Sequence, residues 1–565
     1  MEPVLSEQSA VAQESDQHNS GEKVGVKGES ENGQQNDISE FRPDARFYLA
    51  FSSLTVLAMM VSLDGTSVSV ALPIITQDLN GSAIEAFWTG TSFLLSAATF
   101  QLPIAALSGV YGRMPLLSFC IVSFLVGIIV SARGQDFTAM LVGRTIQGIG
   151  GGGIILMNDL LITDLVPLRQ RGKYFGIIAG IWALGSNSGP VLGGVLAFKS
   201  DWRWIFQINI PFAVISLIMV PLFVRLRVLP GSLKEKFQRI DILGNTLFIA
   251  ATSSFLIPLT WGGVQYSWTS WRTLVPLILG VAGFAGFAIF EKKVPKFPII
   301  RLDLVFGNYN MAFSLFAALI NALLVYGSLY FLPLYYEGVQ GYNPVISGVA
   351  MFPATLTVAP FAIISGIIIE KAGDFRIITI FGWVTTTLGM GVVILLDIDT
   401  TIIQWVFLSF CSGVGLGILY TSLAFVNQSA AGEESMTFAV GMFIFARSLG
   451  QCIGVAICGV IFQNQMFRNL RSYPELAGRA RDLSKDASSL VLQIFQMDDG
   501  VEKQNLIKAY ADSLKVVWAV LCALSGLALV GSLFVKKVDL NRELASEQML
   551  RPAKEKEANT LDLEH

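Results

Sequence analysis

The sequence predicts an all-α polytopic membrane protein with fourteen spanning helices, and three observations carry the prediction. Of 565 residues, 53% are hydrophobic and only 14% charged, a balance foreign to soluble domains of this length. Apolar runs of about 18 residues or more recur along almost the whole chain. Lys and Arg segregate to alternate loops. One set holds Arg113, Arg169, Arg171, Lys173, Arg225, Arg227, Lys234, Lys236, Arg239, Lys292, Lys293, Lys296, Arg301, Lys371 and Arg376, whereas the short loops of the other set hold Arg133, Lys199, Arg203 and Arg272. That bias makes the first set cytoplasmic and puts both termini inside.

The expected spans lie at about 48–74, 87–110, 114–132, 138–163, 173–198, 204–224, 240–260, 273–290, 309–333, 345–369, 376–396, 402–426, 437–462 and 514–535. Residues 1–46 are polar and aperiodic and read as a disordered cytoplasmic tail without a cleavable signal peptide. Residues 537–565 read as a second cytoplasmic tail, and the polar stretch 463–513 as a long outer loop. Asn80-Gly81-Ser82 is a possible glycosylation site on the outer side.

Small-residue stripes suggest an internal repeat. Gly185, Gly189 and Gly193 recur at helical spacing in helix five, as do Ala446, Gly450 and Gly454 in helix thirteen. Helix four has Gly148 and Gly150, and helix twelve has Gly413, Gly415 and Gly417. Both pairs are eight helices apart. Two six-helix halves, 47–225 and 301–536, separated by two inserted helices in 226–300 produce that offset, and paired halves around a central cavity are a transporter plan.

Several function classes are excluded on composition and motif. A net charge of −3 gives no nucleic-acid footprint. The five cysteines lie in apolar runs without metal or redox spacing, and the two histidines, His18 and His565, sit in the tails, so no metal site is expected. There is no Walker A loop, HExxH or GxSxG. The chain reads as a non-enzyme.

Chemistry concentrates in helix four, where 141–164 carries Arg144 and Gln147 inside a spanning run. An intramembrane charge costs at least about 2.5–3.5 kcal/mol and calls for a partner. Asp64 of helix one lies at similar depth by helical rise. A desolvated carboxylate beside an arginine is a natural proton carrier, and equally a static packing pair. Gln147 lies one turn from Arg144 on the same face and is expected to bond Arg144, Asp64 or a ligand on the substrate pathway. Asp164 reads as a solvated helix-end residue. Arg447 in helix thirteen has no intramembrane acid near it in sequence, so it meets inner carboxylates or an anionic ligand group. Trp182, Asn187, Asn321, Tyr326 and Tyr330 are candidate pathway residues suited to a neutral or weakly polar ligand. Pro190 removes a backbone donor and favours a kink in helix five.

Taken together, the motifs resemble those of the major facilitator superfamily, in particular the fourteen-helix drug:proton antiporters and fungal efflux pumps for toxins and secondary metabolites. LDGTSVSVALPII (63–75) is similar to the family's LDxTIVxxALPxI, RTIQGIGGGG (144–153) to RxxQGxGGG, and GSNSGPVLGG (185–194) to GxxxGPxxGG. WRWIFQINIP (202–211) and LPLYYEGVQGYNPVISGVAMFP (332–353) are also typical. The resemblance implies the major facilitator fold and proton-coupled export by alternating access. It implies that Asp64 and Arg144 couple protons, and that Gly185, Gly189, Pro190, Gly193 and Gly194 form the antiporter motif. It also implies a gate at Arg113 and Glu370. No cofactor is implied, since a proton gradient drives the family; partners are protons, a small amphipathic organic substrate and the lipid bilayer, around a monomer. A plasma-membrane location is expected, with the vacuolar membrane as alternative. Two departures stand out. The loop usually GxLSDxxGRK reads ALSGVYGRMP (106–115), with Gly109 in place of the acid, and Ser409 occupies the position in helix twelve that matches Arg144. A siderophore or nutrient carrier of the same fold, and a non-transporting sensor, are the alternative readings.

Overall fold

In the computed structural model, which describes residues 43–540 apart from 81–82, 227–231, 264, 296, 433–434 and 485–486, fourteen helices are long and apolar enough to cross a membrane. They are α1 (Ala45–Asp78), α2 (Ala83–Tyr111), α3 (Arg113–Arg133), α4 (Phe137–Leu165), α5 (Arg171–Lys199), α6 (Asn209–Phe223) and α7 (Ile242–Trp261). They continue with α8 (Trp271–Lys293), α9 (Tyr309–Gly338), α10 (Phe352–Ala372), α11 (Arg376–Val393), α12 (Ile402–Ala430), α13 (Met436–Leu470) and α14 (Val501–Ser532). Short helices at Trp204–Gln207 and Pro344–Ala350 lead into α6 and α10. No β-strand occurs among the described residues.

Polar residues at the ends start and stop these helices. Asp44 accepts from the Phe47 N–H at 2.8 Å, and Asp136 accepts from the Ala139 N–H at 2.7 Å, each satisfying a donor that the first turn leaves open. Gly373, with φ of 64°, ends α10 in the left-handed conformation that a β-carbon would strain.

The small-residue stripes are packing faces, and they repeat with the expected offset. In α4, Gly148 and Gly152 lie against Phe93, Ser96 and Ala97 of α2, while Gly150 lies against Cys120 and Phe124 of α3. In α12, Gly413 and Gly417 lie against Ala354 and Val358 of α10, while Gly415 lies against Thr386 of α11. Gly185, Gly189 and Gly193 of α5 meet Ser62, Thr66 and Ser67 of α1; Gly450 and Gly454 of α13 meet Leu319 and Leu323 of α9. At each of these places a methyl group would overlap the neighbouring helix, so the backbones approach more closely than larger residues allow.

The halves meet along two seams, α5 against α10 and α2 against α13. The inserted helices α7 and α8 pack on each other, and α7 lies along one seam, touching α2 and α13. Phe248 of α7 meets Phe445 of α13 with ring centroids 5.0 Å apart, and Trp88 of α2 meets Trp261 of α7 at 6.2 Å. The outer face of α8 exposes Ile278, Leu279, Val281 and Ile289, as a lipid-facing helix does.

One expectation changes here. The stretch 463–513 is mostly helical rather than a loop: α13 continues through Leu470, α14 begins at Val501, and short helices Pro474–Ala477, Ala480–Leu483 and Ala487–Gln496 lie between them. Polar helix beyond the membrane carries no apolar run to mark it. Pro190 sits inside α5 without ending it. The N-terminal tail to residue 42, the C-terminal tail from residue 541 and Ser82 of the sequon lie outside the described residues. Asn80 itself is exposed in the turn after α1, with φ of 50°.

Candidate transport site

Asp64 and Arg144 meet as expected from their depth. Arg144 Nη1 donates to Asp64 Oδ2 at 2.7 Å, with both side chains out of solvent (0% and 1% exposed). Arg144 makes two further hydrogen bonds: Nη1 also donates to Gln147 Oε1 at 2.8 Å, and Nε donates to the Thr89 carbonyl at 3.1 Å. The Phe93 ring covers the guanidinium at 4.5 Å and Phe206 lies on it at 5.9 Å. Asn209 donates to the second oxygen, Asp64 Oδ1, at 3.3 Å. Phe206 and Asn209 both come from the quoted WRWIFQINIP stretch, which thus builds one wall of the ion pair. The sequence reading missed that role, although the stretch was singled out. Gln147, expected on the substrate pathway, belongs to the ion pair instead and does not line the cavity.

A cavity of about 250 Å³ opens on the seam beside this pair, walled by helices of both halves. Trp182, Asn187, Asn321, Tyr326, Tyr330 and Arg447 all line it. Phe93 lines it too, so one ring separates the cavity from the guanidinium of Arg144. Asn187 is already engaged: the Thr355 hydroxyl donates to Asn187 Oδ1 at 2.8 Å across the α5–α10 seam, and Asn187 Nδ2 donates to the Ala183 carbonyl at 2.7 Å. Tyr326 and Tyr330 stack with centroids 6.4 Å apart. Arg447 lies over the Tyr420 ring at 4.4 Å. The acid whose charge acts on it is Asp159 of α4, another cavity residue, rather than a carboxylate at the inner helix ends. Asp159 and Arg447 are almost three hundred residues apart, and sequence proximity gave no sign of the relationship.

At the ends assigned to the cytoplasm, arginines stitch the halves together. Arg113 Nε donates to Asp164 Oδ2 at 2.9 Å, and its Nη2 reaches the Thr437 hydroxyl of α13 at 2.7 Å. Asp164 is therefore a buried partner of Arg113 rather than a solvated helix-end residue. Arg171 Nη1 donates to Gln428 Oε1 of α12 at 2.9 Å, and Arg169 Nε donates to the Glu370 main-chain carbonyl at 2.7 Å. Gly172 and Gly366 lie in backbone contact below the cavity. Hydrogen bonds thus bridge the two halves on the inner side. Gly109, where the motif acid is missing, has open space about it. Of the α5 motif, Gly185, Gly189 and Gly193 face α1, whereas Gly194 is half-buried and off that face.

On the second-half helices that match α1 and α4, the position of Arg144 is held by Ser409, which makes a neutral contact. The Tyr336 hydroxyl of α9 lies 2.8 Å from the Ser409 hydroxyl of α12, buried among Tyr335, Tyr342 and Trp405. At the outer end, Asp397 in the turn before α12 receives Lys515 Nζ at 2.6 Å and Lys508 Nζ at 3.1 Å, both from α14. Burial alone would raise its carboxyl, but Lys515, the Ile398 N–H and Lys508 outweigh burial and hold it at about 2.

Residues 54–455 match the model of the Major Facilitator Superfamily. The chain is similar to MFS transporter L2 from a Phoma species, with 44% identity over 90% of this chain and 85% of that protein. It is also similar to the MFS-type efflux pump LUC4 from a Fusarium species, with 34% identity over 89% of this chain and 90% of that protein. Among solved structures, the proton:xylose symporter XylE shares the fold at a TM-score of 0.54 and 13% identity, over 87% of this chain and 96% of that one.

Proposed function

Since the chain belongs to the major facilitator superfamily and is a multi-pass membrane transporter of small molecules rather than an enzyme, we propose that it is a proton-coupled efflux pump. It exports a small amphipathic organic compound, acts as a monomer in the plasma membrane, and needs no cofactor beyond the proton gradient. The observation that carries this reading is a carboxylate–guanidinium pair wholly out of solvent and one aromatic ring away from a cavity on the seam between the halves. A buried pair of this kind costs several kcal/mol of desolvation and is a poor packing device, so an ionisable role accounts for it better. The similarity to LUC4, an efflux pump, supports the direction of transport.

The cycle follows from competition for Asp64. When the outer side is open, a proton from outside reaches Asp64 and loosens its hold on Arg144, and substrate leaves. Helix α1 then shifts against α5 along the face built by Gly185, Gly189 and Gly193, and the halves rock. Opening the inner side breaks the bonds from Arg113 to Thr437 and from Arg171 to Gln428. The proton leaves to the cytoplasm, Arg144 recaptures Asp64, and substrate enters the cavity. Alternation of this kind needs two states of nearly equal free energy, which a few hydrogen bonds of about 1 kcal/mol each can trade between.

The test is proton-gradient-driven transport of a panel of amphipathic compounds in inside-out vesicles. Export that collapses with the gradient and is lost in Asp64→Asn is expected. Asp64→Asn transporting as fast as wild type with the same pH dependence would remove Asp64 from the coupling step.

A further inference from the structure

The seam cavity is polarised, and its polarity defines what fits. On the first-half wall, Asp159 presents a carboxylate at the cavity surface. Beside it, Asn158 Oδ1 is buried without a hydrogen-bond partner. The orientation of that amide is fixed, because Asn158 Nδ2 donates to the Leu54 carbonyl at 3.2 Å. Gln101 Oε1 of α2, in a residue 1% exposed, is a second orphaned acceptor on the same wall. On the second-half wall stand donors. Arg447 points its guanidinium at the cavity over the Tyr420 ring, and among the described residues no carboxylate pairs with it directly. Asn321 Nδ2 of α9 is buried without an acceptor.

Orphaned buried polar groups cost about 1–3 kcal/mol each, so a wall holding several is built for a ligand that satisfies them. A guanidinium without a bonded anion is the largest such deficit. Trp182, Tyr326 and Tyr330 supply an aromatic surface between and above the polar groups. By helical rise, Asp159 lies about 9 Å from the inner end of α4 and Arg447 about 16 Å from the inner end of α13. The polar walls therefore sit in the inner part of the molecule, and the Asp64–Arg144 pair lies farther out.

We propose that the cavity takes an amphipathic organic acid: its anionic head seats on Arg447 with Asn321 at its side, a hydroxyl or amide N–H on the same molecule donates to Asp159 and Asn158, and its apolar body lies on Trp182, Tyr326 and Tyr330. Asp159 is then a specificity residue as well as an acceptor. A cationic amphiphile would meet Arg447, and a dianion would meet Asp159, so both are disfavoured. A neutral ester leaves the guanidinium unsatisfied and binds less tightly. The inference rests on the efflux reading for its biological sense but concerns binding alone, and the two are tested separately.

The test uses the purified full chain in nanodiscs and two fluorescent probes, dansylated undecanoic acid and its methyl ester. The acid is expected to bind about tenfold more tightly than the ester, as one charge-assisted contact gives. Arg447→Gln removes that preference, and Arg447→Lys retains most of it, which separates loss of charge from loss of fold. Asp159→Asn keeps the acid preference and admits a dicarboxylic analogue that wild type rejects. Equal binding of acid and ester by wild type, an acid preference that survives in Arg447→Gln, or no binding of either probe would each overturn the proposal. None of these results bears on the efflux reading, which fails instead when the vesicle panel shows no gradient-driven export.

Discussion

The hydroxyls of Tyr336 and Ser409 meet at 2.8 Å, and Ser409 holds the place on α12, four residues before the first packing glycine, from which Arg144 on α4 bonds Asp64. The pairs sit on equivalent helices, α9 with α12 and α1 with α4. One is neutral and satisfied by a single hydrogen bond; the other is charged and held by five neighbours. The two bundles share a frame but not a chemistry, so the proton coupling we propose belongs to the first half.

Mutation of the two pairs should therefore give unequal results. Arg144→Ala leaves the Asp64 carboxylate buried with Asn209 alone, a change of about 3–5 kcal/mol for a broken buried pair. It is expected to abolish gradient-driven export. Ser409→Ala removes one neutral hydrogen bond, about 1 kcal/mol, and should leave export near the wild-type rate. Transport in vesicles, normalised to folded protein by size-exclusion chromatography, checks both; equal damage would contradict the asymmetry.

Phe93 both covers Arg144 and lines the cavity. Phe93→Ala should cost about 0.5–2 kcal/mol from the cation–π contact and open a path for water between cavity and ion pair. The expected phenotype is uncoupling: a pH gradient across proteoliposomes decays faster without substrate, while binding of compounds persists. An unchanged leak would mean that the ring is packing alone.

Gly172 and Gly366 let α5 and α10 touch where the inner side closes. A valine at Gly172 places its β-carbon within the backbone of Gly366, so the inner side cannot close. Gly172→Val is expected to raise thiol labelling of cysteines introduced at cavity positions from the cytoplasmic side, and to stop export. Labelling that stays at the wild-type level would place the closing contact elsewhere.

The Asp397–Lys515–Lys508 cluster predicts an acid limit. Its carboxyl is held at about 2, below its ordinary value near 4, so it adds stability that is fully present above pH 4 and lost as pH falls toward 2. Melting curves of wild type and Asp397→Asn in nanodiscs should be separated at pH 5 and converge by about pH 2. With 37% of the Asp397 side chain exposed, the separation is modest.

Much of this architecture is visible in the residues themselves, for physical reasons. Apolar length and loop charge mark the spans because the bilayer admits few alternatives. Depth counting finds Asp64 for Arg144 because helical rise is constant and both lie on helices that run straight across. The same counting does not find Asp159 for Arg447, since their relation depends on how α4 and α13 face each other over the cavity. Asp164 was legible as inner but not as buried, because a helix end in sequence does not say whether another helix covers it. Asn209 opens α6 just past the break at Ile208, and no periodicity says which way a helix start after such a break faces. The helices between 463 and 513 are short and broken by polar residues, so none shows an apolar run long enough to mark a span.

The placement of α7 and α8 has a further consequence. They cover the α2–α13 seam with an aromatic layer at Phe248 and Trp261, while the α5–α10 seam carries Leu184, Val191, Ile364 and Ile368 exposed along its flanks. Two bundles related by a near-twofold axis would offer a lipid-dissolved molecule the same approach from either flank. The inserted pair breaks that equivalence: one flank is a wall, and the other is bare to the acyl chains. The transporter thus has a front and a back within the plane of the bilayer, a direction that neither bundle possesses alone.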